Sequence, residues 1–210
     1  MNDDTNPPKT KSVLREYVEA IIVALILALI IRTFVILPFT IPSGSMEPTL
    51  LIGDYLLVTR FSYGVQNPFT GKYIIERQGP QYGDIIVFKY PPDTSQNFVK
   101  RVVGLPGDVL EVRNKQLYRN GEPVSETYIR HIFPNRILPL DNMPPFTVPE
   151  DQYFGMGDNR DNSSDSRAWG TIPMENIYGK AWRLYWSWDS GEKDRRGEGL
   201  RFNRLLKKLE

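Results

Sequence analysis

The sequence predicts a mainly β protein preceded by one N-terminal transmembrane helix. Three features lead there: an unbroken apolar run at residues 20–31 (AIIVALILALII), short β-branched runs bounded by Gly-Asp pairs, and turn dipeptides spaced through the middle of the chain. A length of 210 residues fits one domain, or one domain with a small insertion, and the 40% apolar content is enough for a real core. A net charge of +1 gives no basic face for a nucleic-acid partner. The absence of cysteine excludes a disulfide scaffold, a thiolate metal site and a thiol nucleophile.

The helix comes first. The 12-residue run alone spans about 18 Å, short of a bilayer core of about 30 Å. Extended over residues 17–37 it reaches about 31 Å, with Glu19 and Arg32 near its ends, where long side chains reach the headgroups, and Pro38 stopping it. No A-x-A cleavage pattern follows, which favours a retained anchor over a removable signal peptide or a buried core helix. Lys9, Lys11 and Arg15 precede the run, and after Arg32 there is no Lys or Arg until Arg60. The positive-inside rule then places the N-terminus in the cytoplasm and the bulk of the chain outside it. Residues 1–16 are polar and expected to be loose.

Strands follow. Residues 55–58 (YLLV) and 84–90 (DIIVFKY) are β-branched runs after Gly53-Asp54 and Gly83-Asp84. Residues 99–103 form a further strand, closed by Gly104-Leu105-Pro106-Gly107. Residues 109–113 and 116–119 read as a hairpin around Asn114-Lys115, followed by an Asn120-Gly121 turn. Residues 180–188 (KAWRLYWSW) alternate as a strand. Such short, turn-separated strands indicate a barrel or sandwich. Prolines crowd residues 123–149, an irregular excursion, and the tail 201–210 reads as frayed rather than as a short cationic helix.

The chemistry concentrates in three places. Ser43-Gly44-Ser45 follows directly on the helix, where glycine lets the backbone turn and expose a hydroxyl. A serine nucleophile needs a base. A Ser-His pair would rest on the single histidine, His131, whereas a Ser-Lys pair has several lysines to draw on. Lys100 sits on a strand among Phe98, Val99 and Val102, and burial there would lower its pKa toward the neutral amine that a base requires. The third place is the polar loop 157–167 (GDNRDNSSDSR). A calcium loop does not fit it, because an arginine sits inside and the glycine and terminal glutamate are missing. A hydrogen-bonded scaffold for a catalytic amine fits better. Nothing in the sequence asks for a cofactor or a metal ion.

These blocks, in this order, resemble the bacterial type I signal peptidases, membrane-bound serine proteases that remove signal peptides from exported proteins. The resemblance runs through residues 31–34 (IRTF), 43–50 (SGSMEPTL), 53–58 (GDYLLV), 83–88 (GDIIVF) with 100–108 (KRVVGLPGD), and 157–167. It implies Ser45 as nucleophile and Lys100 as general base, with Ser43 joining the Ser45 N–H at the oxyanion. It implies that Ser163 orients the lysine, that Asp165 and Arg167 form a supporting ion pair, and that Asp158 and Arg160 belong to the same scaffold. Phe39, Ile41, Pro42 and Val99 match the walls of the substrate pocket for small side chains at positions −1 and −3 of a signal peptide. The implied fold is an antiparallel β catalytic core (38–107 and 155–200) with a small β insertion (108–154). The implied partners are signal peptides of exported preproteins and the lipid bilayer, with the catalytic domain on the periplasmic or outer face of a bacterial plasma membrane. Many relatives carry two N-terminal membrane helices, and only one is readable here. Trp182, Trp186 and Trp188 either touch the membrane interface or pack in the sheet, the latter being favoured. The competing readings are a self-cleaving Ser-Lys repressor, disfavoured by the anchor and the lack of a helix-turn-helix, and an anchored β binding module without catalysis.

Overall fold

The computed structural model describes residues 13–34, 36–66, 73–190 and 198–209. Its strands are β1 (Ile36–Thr40), β2 (Asp54–Thr59), β3 (Gly64–Gln66), β4 (Tyr73–Glu76), β5 (Ile85–Lys89), β6 (Asn97–Gly104), β7 (Val109–Arg113), β8 (Gln116–Arg119), β9 (Glu122–Pro123), β10 (Met143–Thr147), β11 (Gln152–Met156), β12 (Ile172–Pro173), β13 (Ile177–Ser190) and β14 (Glu198–Leu200). The helices are α1 (Val13–Phe34) and the single-turn α2 (Ser166–Trp169). Among the described residues every pairing between these strands is antiparallel.

The main sheet runs β1-β2-β13-β5-β6-β11-β12, with β14 added beside β13. Its spine is β13, 14 residues long, pairing β2 on one side and β5 on the other. The register shifts between Ala181 and Arg183 and again between Leu184 and Trp186. Such shifts bend a strand and increase its twist. Where β13 crosses β2, Gly179 has φ +156°, and a Cβ there would lie 2.2 Å from Thr59 O. Only glycine permits that approach.

The core follows from the alternation of each strand. Leu56, Val58, Ile85, Val87, Ala181 and Leu184 form one fully buried cluster, into which Met46 and Leu50 reach from the loop after β1. The buried Leu, Val, Ile and Met side chains each contribute about 1.5–3 kcal/mol. Another cluster, with Leu110, Val112 and Leu117 against Val103, Phe154 and Met156, joins the main sheet to a second sheet ordered β10-β7-β8-β9. That second sheet is built from residues 109–147. Its first hairpin turns at Asn114 and Lys115, with φ +48° and +76°, the two left-handed residues a type I′ turn demands. Asn120 and Gly121 repeat the pattern before β9.

Several expectations change. Helix α1 ends at Phe34, not at Leu37, because Ile36 and Leu37 pair with Thr59 and Val58 at the sheet edge. Residues 13–16, expected to be loose, begin that helix, while residues 1–12 lie outside the described set. Among the described residues, no helix is long and apolar enough to cross a membrane. The excursion 123–149 contains β10, paired to β7 despite two prolines. The tail is docked rather than frayed. Arg204 pairs with Asp54, Leu209 is buried, and the Leu209 N–H donates to Trp182 O. Trp182, Trp186 and Trp188 do not pack inside the sheet; they are 41, 40 and 47% exposed.

Candidate active site

β1 delivers the chain to Ser43, whose backbone is extended (φ −132°, ψ 155°), and Gly44–Met46 then close one turn of 3-10 helix. Met46 is buried in the core and anchors this turn, while Glu47 N–H and Leu50 N–H donate to Gly44 O and Met46 O. Ser45 is half-buried in this turn, on the wall of a cavity.

β6 brings up the lysine. It lies between β5 and β11 in the sheet, with Lys100 opposite Ile86. The Lys100 side chain is 3% exposed, and its Nζ lies 2.8 Å from Ser45 Oγ and 3.0 Å from Val99 O. The amine also sits 5.3 Å from the centroid of the Phe98 ring, which stacks on Tyr90. Burial lowers the Lys100 pKa from 10.5 to about 8; Asp165 and Asp158 pull it up, and Arg167 pushes it down. The loss of hydration outweighs the carboxylates because an ammonium surrounded by protein has few substitutes for water. An amine with that pKa, bonded to a serine hydroxyl, can accept its proton near neutral pH.

Gly157 follows β11 and has no room for a side chain: a Cβ there would lie 2.2 Å from Ser163 Oγ and 2.5 Å from Ser45 O. The Asp165 carboxylate accepts from Gly157 N–H and from Nε and Nη2 of Arg167. Burial pushes the Asp165 carboxyl up, yet Arg167, the Gly157 N–H and the Ser163 hydroxyl hold it below the usual range. Arg167 Nη2 reaches on to Arg160 O at 2.7 Å.

The structure brings the implied residues to one place, with changed partnerships. Phe39, Ile41, Pro42 and Val99 line one cavity of about 550 Å³ together with Ser43, Ser45 and Lys100. Phe39 on β1 and Val99 on β6 are four places apart in the sheet order, so the sheet coils to close this cavity. Ser163 does not hydrogen-bond Lys100. Its hydroxyl is buried beside Gly157, and Val99 O holds the amine instead. Asp158 and Arg160 each bond outside the loop. Asp158 receives Nε and Nη2 of Arg101 at 2.9 and 2.8 Å, and Arg160 is clasped by Glu126 through Nη1 and Nη2.

Arg101, Glu126, Glu47 and Asn159 are residues of the site that the sequence did not single out. Arg101 had a signal: it neighbours Lys100 on a strand, so the two point to opposite faces, and both are buried. Glu126 and Glu47 had none, since their partners Arg160 and Arg130 lie 34 and 83 positions away. His131 touches Asp161, not Ser45. Lys115 bridges Asp141 and Asp161 at 2.7 and 2.9 Å, which explains why a lysine occupies the left-handed position of the β7–β8 turn.

The family described as "Signal peptidase, peptidase S26" matches residues 14–186. The chain belongs to this family. It is 41% identical over 208 residues to a signal peptidase I of Pseudomonas fluorescens, a match covering 83% of this chain and 73% of the relative. It is 40% identical over 186 residues to one of Leptolyngbya laminosa (85% and 83% covered) and 34% identical over 235 residues to one of Rickettsia typhi (90% and 88% covered). A crystal structure of a signal peptidase I from Enterococcus faecalis V583 is 36% identical, with a TM-score of 0.41, covering 49% of this chain and 97% of that chain. The protein is thus an enzyme of the signal peptidase type, and its family supports the removal of signal peptides from preproteins.

Proposed function

We propose that this enzyme is a membrane-anchored serine endopeptidase that cleaves signal peptides after small residues at −1 and −3, with Ser45 as nucleophile and Lys100 as general base. One observation carries the reading: Lys100 Nζ lies 2.8 Å from Ser45 Oγ, with its pKa lowered to about 8. At pH 7 an amine of that pKa is neutral in about one molecule in ten, against about one in three thousand at 10.5.

Neutral Lys100 takes the Ser45 proton as Oγ attacks the scissile carbonyl. The tetrahedral oxyanion is held by Ser45 N–H and Ser43 Oγ. The lysine then protonates the leaving amine, and water, deprotonated by the same lysine, hydrolyses the acyl-enzyme. Asp165 and Arg167 hold the loop behind the lysine, and Asp158 and Arg160 hold that loop to β6 and to the insertion. Phe39, Ile41, Pro42 and Val99 form the substrate walls.

Membrane anchoring rests on α1. Ile21, Ile22, Val23, Leu25, Ile26 and Leu27 are all exposed, so no side of this stretch packs on the domain. A helix apolar all round is stable only when something apolar covers it, and a bilayer is the covering proposed for α1, Val13–Phe34. The exposed Trp182, Trp186 and Trp188 suit the bilayer interface. Signal peptides of exported preproteins and the lipid bilayer are then its partners, with the catalytic domain outside the cytoplasm.

The test is cleavage of a preprotein bearing an Ala-x-Ala site by detergent-solubilised full chain, wild type beside Lys100→Ala. Cleavage after the −1 alanine by wild type only is the expected outcome. Cleavage by both removes Lys100 from the base role, and cleavage by neither folded protein removes the peptidase mechanism.

A further inference from the structure

Two peptide units flank Ser45, and one residue holds both. The Asn159 side-chain amide donates from Nδ2 to Gly44 O at 3.0 Å, and the Asn159 backbone N–H donates to Ser45 O at 3.0 Å. Asn159 is buried, in the turn that follows β11, 115 positions from Gly44. We propose that Asn159 is a positioning residue of the oxyanion hole, setting the direction of the Ser45 N–H by gripping the carbonyl of the same peptide unit.

The reasoning is geometric. Gly44 C=O and Ser45 N–H are the two ends of one planar trans peptide. They point in opposite directions, so fixing the oxygen aims the N–H. Gly44 has no side chain to restrict that plane, and without a partner on its oxygen the plane could rotate about its flanking bonds. The Gly44 oxygen carries two donors, Glu47 N–H from within the turn and Asn159 Nδ2 from across the site. A donor on the carbonyl also polarises the peptide and strengthens its N–H toward a developing negative charge.

The amide's other end supports this role. Asn159 Oδ1 is buried with no hydrogen-bond partner among the described residues. Turning the amide over would set oxygen against Gly44 O and leave the NH₂ without an acceptor, so only the observed orientation works. A buried oxygen without a partner is unfavourable, and a side chain kept only to fill space would be better apolar. Nδ2 is the atom the site uses.

The inference rests on the proposed reading in which Ser45 N–H binds the oxyanion. It is tested with full chain in detergent and the Ala-x-Ala preprotein, comparing wild type, Ser45→Ala, Asn159→Ala and Asn159→Leu, the last matching asparagine in shape without a donor. Both Asn159 variants keep the backbone N–H to Ser45 O. The expected result is a fall in kcat of about 10- to 100-fold, part of the loss that follows removal of a whole oxyanion donor, with KM within about twofold and the pH midpoint of kcat unmoved. A midpoint that shifts together with KM means that Asn159 supports the lysine or the loop, and overturns the inference. So does kcat within twofold of wild type, and so does loss of folding in both variants. Cleavage by Ser45→Ala overturns the underlying reading instead, and that result is separate from any Asn159 outcome.

Discussion

Lys100 meets Ser45 across 55 positions of sequence, and it does so with an amine that water hardly reaches. The pair is built from a central strand and a 3-10 turn, each tied to the core independently.

The first consequence is a pH profile. With Lys100 lowered to about 8 by burial, kcat rises about tenfold per pH unit below that value and levels above it. A stopped assay from pH 5.5 to 9.5 reads this directly. A profile flat across pH 8 removes Lys100 as the titrating base.

The same burial costs stability. Between pH 8 and 10.5 the unfolded chain binds the Lys100 proton and the folded chain does not, so stability rises with pH through that window. Below pH 8 the penalty is full, about 3 kcal/mol from a shift of 10.5 to about 8. Lys100→Met, apolar and similar in length, is expected to raise Tm at pH 7 while abolishing cleavage, with the gain shrinking above pH 8. A Tm at pH 7 below that of wild type would show that the ammonium is well accommodated.

Ser43 offers a separation of function from fold. It is exposed, and its side chain makes no capping hydrogen bond. Ser43→Ala is expected to lower kcat about 10²- to 10³-fold, the effect of one oxyanion donor, with Tm within a degree. Undiminished kcat would leave the Ser45 N–H as the oxyanion donor without help from Ser43.

Glu126 and Arg160 form a buried bidentate pair between the β9–β10 connection and the loop 157–167. Removing one partner strands a buried charge and costs about 3–5 kcal/mol. Glu126→Ala is expected to lose that much in urea unfolding. A loss below 1 kcal/mol would mean that water enters and solvates Arg160.

His131→Ala is expected to cleave within about threefold of wild type, because its ring bonds Asp161 and makes no hydrogen bond to Ser45. A strong loss in folded protein would bring back a Ser-His mechanism. The Asp161 carboxyl, pushed up by burial but held down to about 2 by His131, the Phe133 N–H and Lys115, contributes stability above the usual carboxylate pKa that disappears as pH falls toward 2.

What the sequence reveals about this fold is what neighbours decide. The β7–β8 hairpin matches its sequence boundaries because Asn114-Lys115 encodes the turn locally, and β2, β5 and β6 follow from apolar β-branched runs bounded by glycine turns. The end of α1 is not local: apolar residues up to Leu37 suit a helix, and only pairing with β2 makes Ile36 and Leu37 a strand. The site divides the same way. Ser45 and Lys100 stand out by residue type and setting, whereas the partner of Asp158 is chosen by which guanidinium β6 turns toward it, and that depends on the assembled sheet.

The docked segment at residues 204–209 sets an order of events. Asp54 is wholly buried at the start of β2, and its carboxylate receives Ser187 Oγ and the Arg204 guanidinium from 133 and 150 positions further on. A ribosome adding about 5–20 residues per second needs roughly 8–30 seconds to make the 150 that separate them. Throughout that interval β2 cannot bury Asp54 with its charge matched. The partners that match the buried Asp54 are thus all present only once translation has passed residue 204, after every strand of the main sheet has been made.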